Sequence, residues 1–480
     1  MQGRWGAAFA EGMTTELSGP TTLTKRSLAP DLARGSMLLF IALANSHYFL
    51  RGSHVLGGFP QGGSVVDSAT AWLIATFVDG RAFPMFGLLF GYGVAHIVRR
   101  QAASRPRAVR RLLWRRGLVL VVVGSLHAML LYVGDILAAY GVLLLVGAWM
   151  VRWKDRWLLV TALLFFVMMA MPSDGSLAVS ADAPDRSMLP PDVGTMFTER
   201  LKVAPLVALL GPLGFLCPFA MGLWAGRRRV LEEAERYRTL LRVTAVVGIG
   251  AAVLGAQPAS VMTAGIVDVP GRQVLETIGP LHDATGVLGG FGYAALVALV
   301  ASRPAERRGR VVGAVAAAGQ RSMTCYLAQS VVWAVVFTPF LLDLSGVLSV
   351  SGTALLAVGV WLGTVLLAER MRRSGQRGPF EVLVRRVTYG SAVSTARIPK
   401  GVADARSCPR GGSGSDDHQD DDDRPQQVED AREHGDATGD GTGGIAARRS
   451  RALGGEVQQA ALGGQDAEPE ERGGGQGQDQ

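Results

Sequence analysis

The sequence predicts an all-α fold: a polytopic helical membrane protein of about ten transmembrane helices, N-terminus and C-terminus cytoplasmic, with a disordered C-terminal tail. Three observations predict it. Of 480 residues, 49% are hydrophobic and 18% charged, with a mean hydropathy of +0.25; a soluble domain carries about a quarter charged residues. Apolar segments close to the length that crosses a hydrocarbon core, roughly 17–25 residues, recur along the chain. Lys and Arg then fall almost entirely on one side of those segments.

The overall charge of +8 is a sum of two unlike parts. Residues 391–480 hold 10 basic and 18 acidic side chains, and residues 1–390 hold 38 and 22. The first part is Gly-, Asp-, Gln- and Ala-rich, contains the run Asp420 to Asp423, and cannot bury enough apolar surface to offset its ordering entropy. It is expected to be a disordered acidic tail. The basic excess of the body needs a folded polar surface before it signals nucleic acid, and this body is too apolar to offer one, so no nucleic-acid partner is expected. Cys217, Cys325 and Cys408 are too few and too scattered for a disulfide framework or a CxxC metal site.

The elements follow in order. Residues 1–27 form an N-terminal cytoplasmic segment, whose apolar run from Trp5 ends at Glu11, short of a signal-peptide core. The first span is therefore expected to direct insertion. Residues 28–390 form the membrane domain, with spans at 35–50, 72–98, 112–133, 136–151, 157–172, 204–226, 241–257, 282–301, 321–341 and 349–368. The second is long and contains Asp79, Arg81 and Pro84, so a kink or a shallow external portion is expected there, with 82–98 as the crossing part. With the N-terminus inside, the connections 99–111, 152–156, 227–240, 302–320 and everything after 369 are cytoplasmic. Those regions, with the N-terminus and flanking helix ends, carry 32 of the 38 basic residues. Only Arg51, Arg186, Arg200, Lys202 and Arg272 lie outside, and Arg81 lies within a span.

Ionisable groups at membrane depth are costly and are functional hypotheses by default. Asn45 and His47 fall near the outer end of the first span, and Asp79 and Arg81 near the outer part of the second. His127 falls in the outer half of the third, Asp135 in the following turn, and His282 and Asp283 open the eighth. An imidazole, carboxylates and a guanidinium converging from several helices suit the binding of a polar group or proton relay. The structural expectation beside it is that Asp79 and Arg81 pair with each other or with Asp135, that His127 glues helices, and that His47 and His282 are solvated at the interface. His96 is expected to snorkel to the cytoplasmic side. Gly87, Gly91 and Gly93 of LLFGYG read as close helix packing rather than a nucleotide loop, since no strand precedes them.

Five ordered blocks resemble the YeiB-like bacterial membrane proteins, a family defined by the domain of unknown function 418. LAPDLARGSMLLFIALAN, with Asp31, Arg34, Gly35 and Asn45, is similar to its opening "LDxLRG…N". DGRAFPMFGLLFGYG places Arg81, Phe86, Phe90, Gly91 and Gly93 in register with a second block. RRLLWRRGLVLVVVGSLHAMLLYVGDILAAYG carries Arg110, Arg111, His127, Gly134, Asp135, Ile136, Leu137 and Tyr140 of a third. MTCYLAQS, through Thr324, Tyr326, Gln329 and Ser330, resembles "LTxYLxQS", and GPFEVLVRRVTYG resembles the closing block through Gly378, Pro379, Glu381 and Gly390. The blocks span residues 28 to 390, so the tail lies outside the resemblance.

The resemblance implies a multi-pass protein of the bacterial inner membrane without an established activity, in a family suspected of transport and distantly similar to transmembrane acyltransferases. One acyltransferase branch places a histidine where this sequence has Asn45, and an amide is no base at neutral pH. His47, two residues on, is turned by about 200°, and His54 stands where another branch has its histidine. Three readings follow: transport of a polar or acylated small molecule, acyl transfer to an envelope component, or a structural role in envelope assembly. In the acyl-transfer reading His127 is the base and Asp135 its orienting carboxylate. Arg34, Asn45, Arg81, Tyr140 and Gln329 are the expected substrate-binding residues. The lipid bilayer and a small-molecule or acyl-donor substrate are the expected partners; no metal is expected, and cofactor and oligomeric state are left open.

Overall fold

The computed structural model describes residues 28–102, 104–173, 177, 179–180, 184–303 and 309–389. The expected cytoplasmic segment 1–27 and the expected disordered tail 391–480 lie outside the described residues. The helices in chain order are α1 (Leu28–Ser46), α2 (Val65–Phe77), α3 (Ala82–Arg100), α4 (Pro106–Leu130), α5 (Leu137–Met150), α6 (Asp155–Met169) and α7 (Val193–Arg227). They continue with α8 (Arg238–Thr263), α9 (Arg272–Ala301), α10 (Arg310–Gln320), α11 (Ser322–Phe337), α12 (Val350–Arg373) and α13 (Pro379–Tyr389). Two-residue strands β1 (Val55–Leu56), β2 (Phe59–Pro60) and β3 (Val179–Ser180) form one small antiparallel sheet in the order β2-β1-β3.

Among the described residues, six helical segments are long and apolar enough to cross a membrane: 65–100, 106–130, 193–227, 238–263, 272–301 and 350–373; α5 and α11 are shorter apolar helices. The chain is an all-helical membrane protein. Its outer surface is what a bilayer requires. Leu118, Val122, Leu126 and Leu130 repeat every fourth residue along α4, and all are exposed. Water would penalise such a stripe, whereas lipid tails do not.

Each of the ten expected spans overlaps a helix, though not each helix is long and apolar enough to cross, and the bounds differ for physical reasons. The second span is broken rather than kinked, and the break lies at 78–81, ahead of Pro84. Gly80 turns the chain there at φ +73, a region glycine enters without penalty. Pro84 sits in the first turn of α3, where no intrahelical N–H is lost. The connection 302–320 contains α10, which packs on α1 so closely that a Cβ on Gly35 would lie 1.9 Å from Val315 O, and one on Gly319 1.7 Å from Asp31 O. α7 and α9 begin well before residues 204 and 282, because charged residues such as Arg200 and Glu276 hide a helix from a hydropathy scan.

The glycines of LLFGYG divide by role. A Cβ on Gly91 would lie 2.2 Å from Phe219 O, and a Cβ on Gly222 2.1 Å from Leu88 O, so α3 and α7 meet backbone to backbone. Gly87 faces Pro218 on the same seam, as expected of a small-xxx-small stripe. Gly93 lies elsewhere, where a Cβ would lie 3.2 Å from the Arg34 guanidinium and crowd it.

Candidate functional site

His127 and Asp135 meet as a buried pair. His127 lies in the last turn of α4, and the turn that follows brings Asp135 back against it. Nδ1 of His127 lies 2.8 Å from Asp135 Oδ1, with both side chains 1% exposed. The approach is off the alignment of a good hydrogen bond, and Nε2 of His127 has no partner. Asp135 Oδ2 accepts from the Ala138 N–H at 2.6 Å. One carboxylate thus closes the first turn of α5 with one oxygen and faces the imidazole with the other, which fixes its geometry. Gly124, one turn before His127, leaves the space for it.

The polar groups around this pair come from several helices. Tyr326 of α11 sets its ring 5.1 Å from that of His127, within electrostatic reach of Asp135, Tyr132 and Tyr140. Tyr132 OH donates to Asn45 Oδ1 at 3.4 Å. Gln329, one turn beyond Tyr326, donates to Thr364 Oγ1 at 3.5 Å, and its Oε1 has no partner. Asn45, Tyr140 and Gln329 therefore belong to the surroundings of His127 and Asp135.

A cavity of about 360 Å³ spans from the charged end of the helices to this cluster. At one end it is lined by Arg34, Arg100, Arg116, Arg321, Arg377 and Arg385, against Asp31, Glu232 and Glu381. At the other it is lined by Phe86, Phe90, Leu120, Leu137, Tyr140 and Tyr326. The first end is partly exposed, and the second is buried at Leu120, Leu137, Tyr140 and Tyr326 and half-buried at Phe86 and Phe90. Arg34 pairs with Asp31 at 3.3 Å and turns toward the cavity. His127 adjoins Tyr326 without itself lining the space. Such a shape suits an amphipathic anion, charged at one end and apolar at the other.

Arg81 lies apart, in a second cluster at the α2–α3 break. Its fully buried guanidinium donates to the backbone carbonyls of Asp79 and, at 2.8 Å, of Ala252, and lies 2.7 Å from His282 Nε2. The Asp79 partner is thus the carbonyl, rather than the expected carboxylate pair. The arginine satisfies the Asp79 carbonyl freed at the α2–α3 break, which would be orphaned inside a membrane, and ties that break to the Ala252 carbonyl within α8. A second break, between α10 and α11, repeats the device. Arg321 stands between them and donates to Ala317 O at 3.1 Å and to Gln376 O.

Several expectations change accordingly. His47 and His282 are 1% and 3% exposed rather than solvated. The β1–β2 loop folds inward, and Phe59 stacks on the His47 ring at 3.8 Å, while His282 turns toward Arg81. His54 is exposed and removed from the cluster. His96 lies at the charged end, 3.3 Å from Glu232, which also pairs with Arg99 at 2.9 Å. Arg321 and Glu381 read from sequence as two more charges near helix ends; an arginine abutting an apolar span was the available signal. Among the described residues no group of three or more His, Cys, Asp or Glu is placed to hold a metal ion.

Comparison with known proteins agrees with the motifs. Residues 225–391 match the family described as "Protein of unknown function (DUF418)". Two of the five blocks, MTCYLAQS and GPFEVLVRRVTYG, fall within that match. The "Uncharacterized protein YxaH" of Bacillus subtilis (strain 168) is 25% identical over 417 residues, covering 79% of this chain and 98% of that protein. Over residues 225–391 the chain is thus similar to the domain of unknown function 418, the family that its motifs resemble.

Proposed function

We propose that this protein is a ten-span protein of the bacterial inner membrane, both termini cytoplasmic, that transfers an acyl group from an anionic donor on the cytoplasmic side to a hydroxyl of an envelope component. The observation that carries this reading is the buried His127–Asp135 pair adjoining the apolar end of a cavity whose other end is rich in arginine. The arginine end holds the anionic carrier, with Arg34 in its wall, and the aromatic end receives the acyl group. Arg81 is left out of the site, since its two terminal nitrogens are engaged by backbone carbonyls and His282 at the α2–α3 break, apart from the cavity.

In this reading His127 acts on the acceptor, so it need not line the donor cavity. The acceptor approaches from the Asn45–Tyr132 side. Nε2 takes the hydroxyl proton as the acceptor oxygen bonds to the acyl carbon, and the carbonyl π pair moves onto its oxygen. Collapse breaks the bond between the acyl carbon and the sulfur or oxygen of the carrier, and the imidazolium returns its proton to that leaving group. Asp135 keeps the Nδ1 proton in place and stabilises the imidazolium.

A transport reading is supported by one observation, the two breaks at Gly80–Arg81 and at Arg321, since interrupted helices border translocation sites. One experiment separates the two. Purified protein in lipid vesicles is incubated with coenzyme A thioesters carrying a labelled acyl chain, and release or transfer of label is followed. Acyl transfer predicts turnover that His127→Ala and Asp135→Ala each lower at least about 100-fold, the scale of a lost general base, at unchanged membrane expression. Uptake of intact thioester without chemistry would replace this reading with transport.

A further inference from the structure

Two buried phenols remain without a task in the cavity wall. Tyr140 is 3% exposed and Tyr326 4%, and among the described residues neither O–H has an acceptor. Both rings line the apolar end of the cavity. The Tyr140 ring is held from two sides, stacked on Phe90 at 4.7 Å and met edge-on by Phe215 at 4.7 Å. Tyr326 rests against the His127 ring. Leaving a buried hydroxyl unpaired costs about 1–3 kcal/mol, and a phenylalanine at either place would keep the packing without that cost. A third unpaired phenol in the wall, Tyr92, lies at the charged end within reach of Glu232 and Arg99. Next to the dyad, Tyr140 has only Tyr326 as a polar neighbour, and the Tyr326 oxygen faces the Ile136 N–H, a donor that leaves its own O–H without an acceptor.

We propose that the hydroxyls of Tyr140 and Tyr326 are the two donors that receive the carbonyl oxygen of the acyl group. This rests on the acyl-transfer reading and adds its electrostatic half. The ligand is a carbonyl, because two rigid O–H donors at the apolar end of a cavity need an acceptor that an alkyl chain does not supply. As the acceptor oxygen adds, negative charge collects on the carbonyl oxygen, and both hydrogen bonds strengthen; no proton changes owner in this contact. Donors fixed in a dry site are worth most at that moment, and losing one costs about 10²–10³ in rate. Their rigidity matters as much as their presence, since no reorganisation is then needed during the reaction.

The test uses the full-length protein and two stable analogues of a coenzyme A thioester: a ketone, in which CH₂ replaces the sulfur, and a thioether, in which CH₂ replaces the carbonyl. Calorimetry on the wild type should show the ketone binding at least about tenfold tighter, the scale of one to two hydrogen bonds. In Tyr140→Phe/Tyr326→Phe that preference should vanish while the thioether binds as before. In His127→Ala it should persist. With the cleavable thioester, each single Phe variant should lose about 100-fold in kcat with KM little changed. A ketone preference that survives in the double Phe variant overturns this assignment and leaves the acyl-transfer reading standing on His127. A wild type with neither a carbonyl preference nor turnover that depends on His127 overturns both.

Discussion

Gly124 shows how much of the site is decided by one residue with no side chain. A Cβ there would lie 2.1 Å from Ala138 N and 2.4 Å from Asp135 Oδ2. Those two atoms are the partners in the hydrogen bond that closes the first turn of α5. Nothing in that contact is the far end of a flexible chain, so an alanine must move the α5 N-terminus and carry Asp135 with it. Gly124→Ala is expected to destabilise by about 1–3 kcal/mol, the usual cost of overpacking, and to lower turnover as much as Asp135→Ala does. A thermal unfolding curve and the labelled-acyl assay on the same preparation check it; full activity with unchanged stability would show that Asp135 needs no such seat. Sequence reading found His127 and Asp135 because a histidine and an aspartate flanking a short turn between two apolar spans are conspicuous. It missed the burial of His47 and His282, because hydropathy along a span does not reveal a loop folding inward over the helix end. Phe59 and Gly58, eleven or so positions further along, are what enclose His47.

Between elements, the clearest finding joins two distant segments. Glu381, in the first turn of α13, accepts from Met323 N at 2.9 Å and Thr324 N at 3.2 Å, and from Thr324 Oγ1 at 2.5 Å. These amides are among the orphan donors of α11, the helix that carries Tyr326 and Gln329. A carboxylate there also meets the positive end of the helix. Gly378 is required beside it, since a Cβ would lie 1.9 Å from Glu381 Oε2. Glu381→Ala is expected to cost about 1 kcal/mol or somewhat more, as capping losses do, and Glu381→Gln, which keeps an acceptor, should cost less. Thermal melts of the two variants in one detergent measure the difference, and equal melting temperatures for Ala and wild type would remove the capping role. The blocks MTCYLAQS and GPFEVLVRRVTYG were legible as motifs, but their contact was not, because nothing in spacing says that a helix past the last span returns to cap an earlier one. For a related reason α10 and α13 escaped a scan for apolar segments. Each is 11 residues long and earns its place by packing rather than by length.

At the scale of the whole molecule, charge and contact describe the same two ends. Arg99 pairs with Glu232 and Arg227 with Asp155, so the segments after α3, before α6 and after α7 gather together. At the other end Arg51 pairs with Asp343, and Asp67 accepts from Ser351 N–H and OH at 2.8 and 2.7 Å. The first end carries the connections in which the arginines concentrate, and the second carries few. An excess of Lys and Arg in short connections marks the cytoplasmic side, and the proposed orientation therefore puts the arginine end of the cavity there. The proposed ten crossings would reproduce this division because each reversal returns the chain to the correct end; losing one would put the arginines of every later connection on the wrong side. Cysteine labelling tests that arithmetic directly. Cys217 and Cys325 are buried, so a Cys408→Ser background is expected to be silent toward a membrane-impermeant maleimide. Ser53→Cys, at an exposed position of the loop after α1, should label in intact cells. Arg105→Cys, exposed just before α4, should label only after permeabilisation. The reverse pattern would turn the molecule over and direct the cavity outward, away from any cytoplasmic donor, and labelling of both sites in intact cells would break the count of crossings between them.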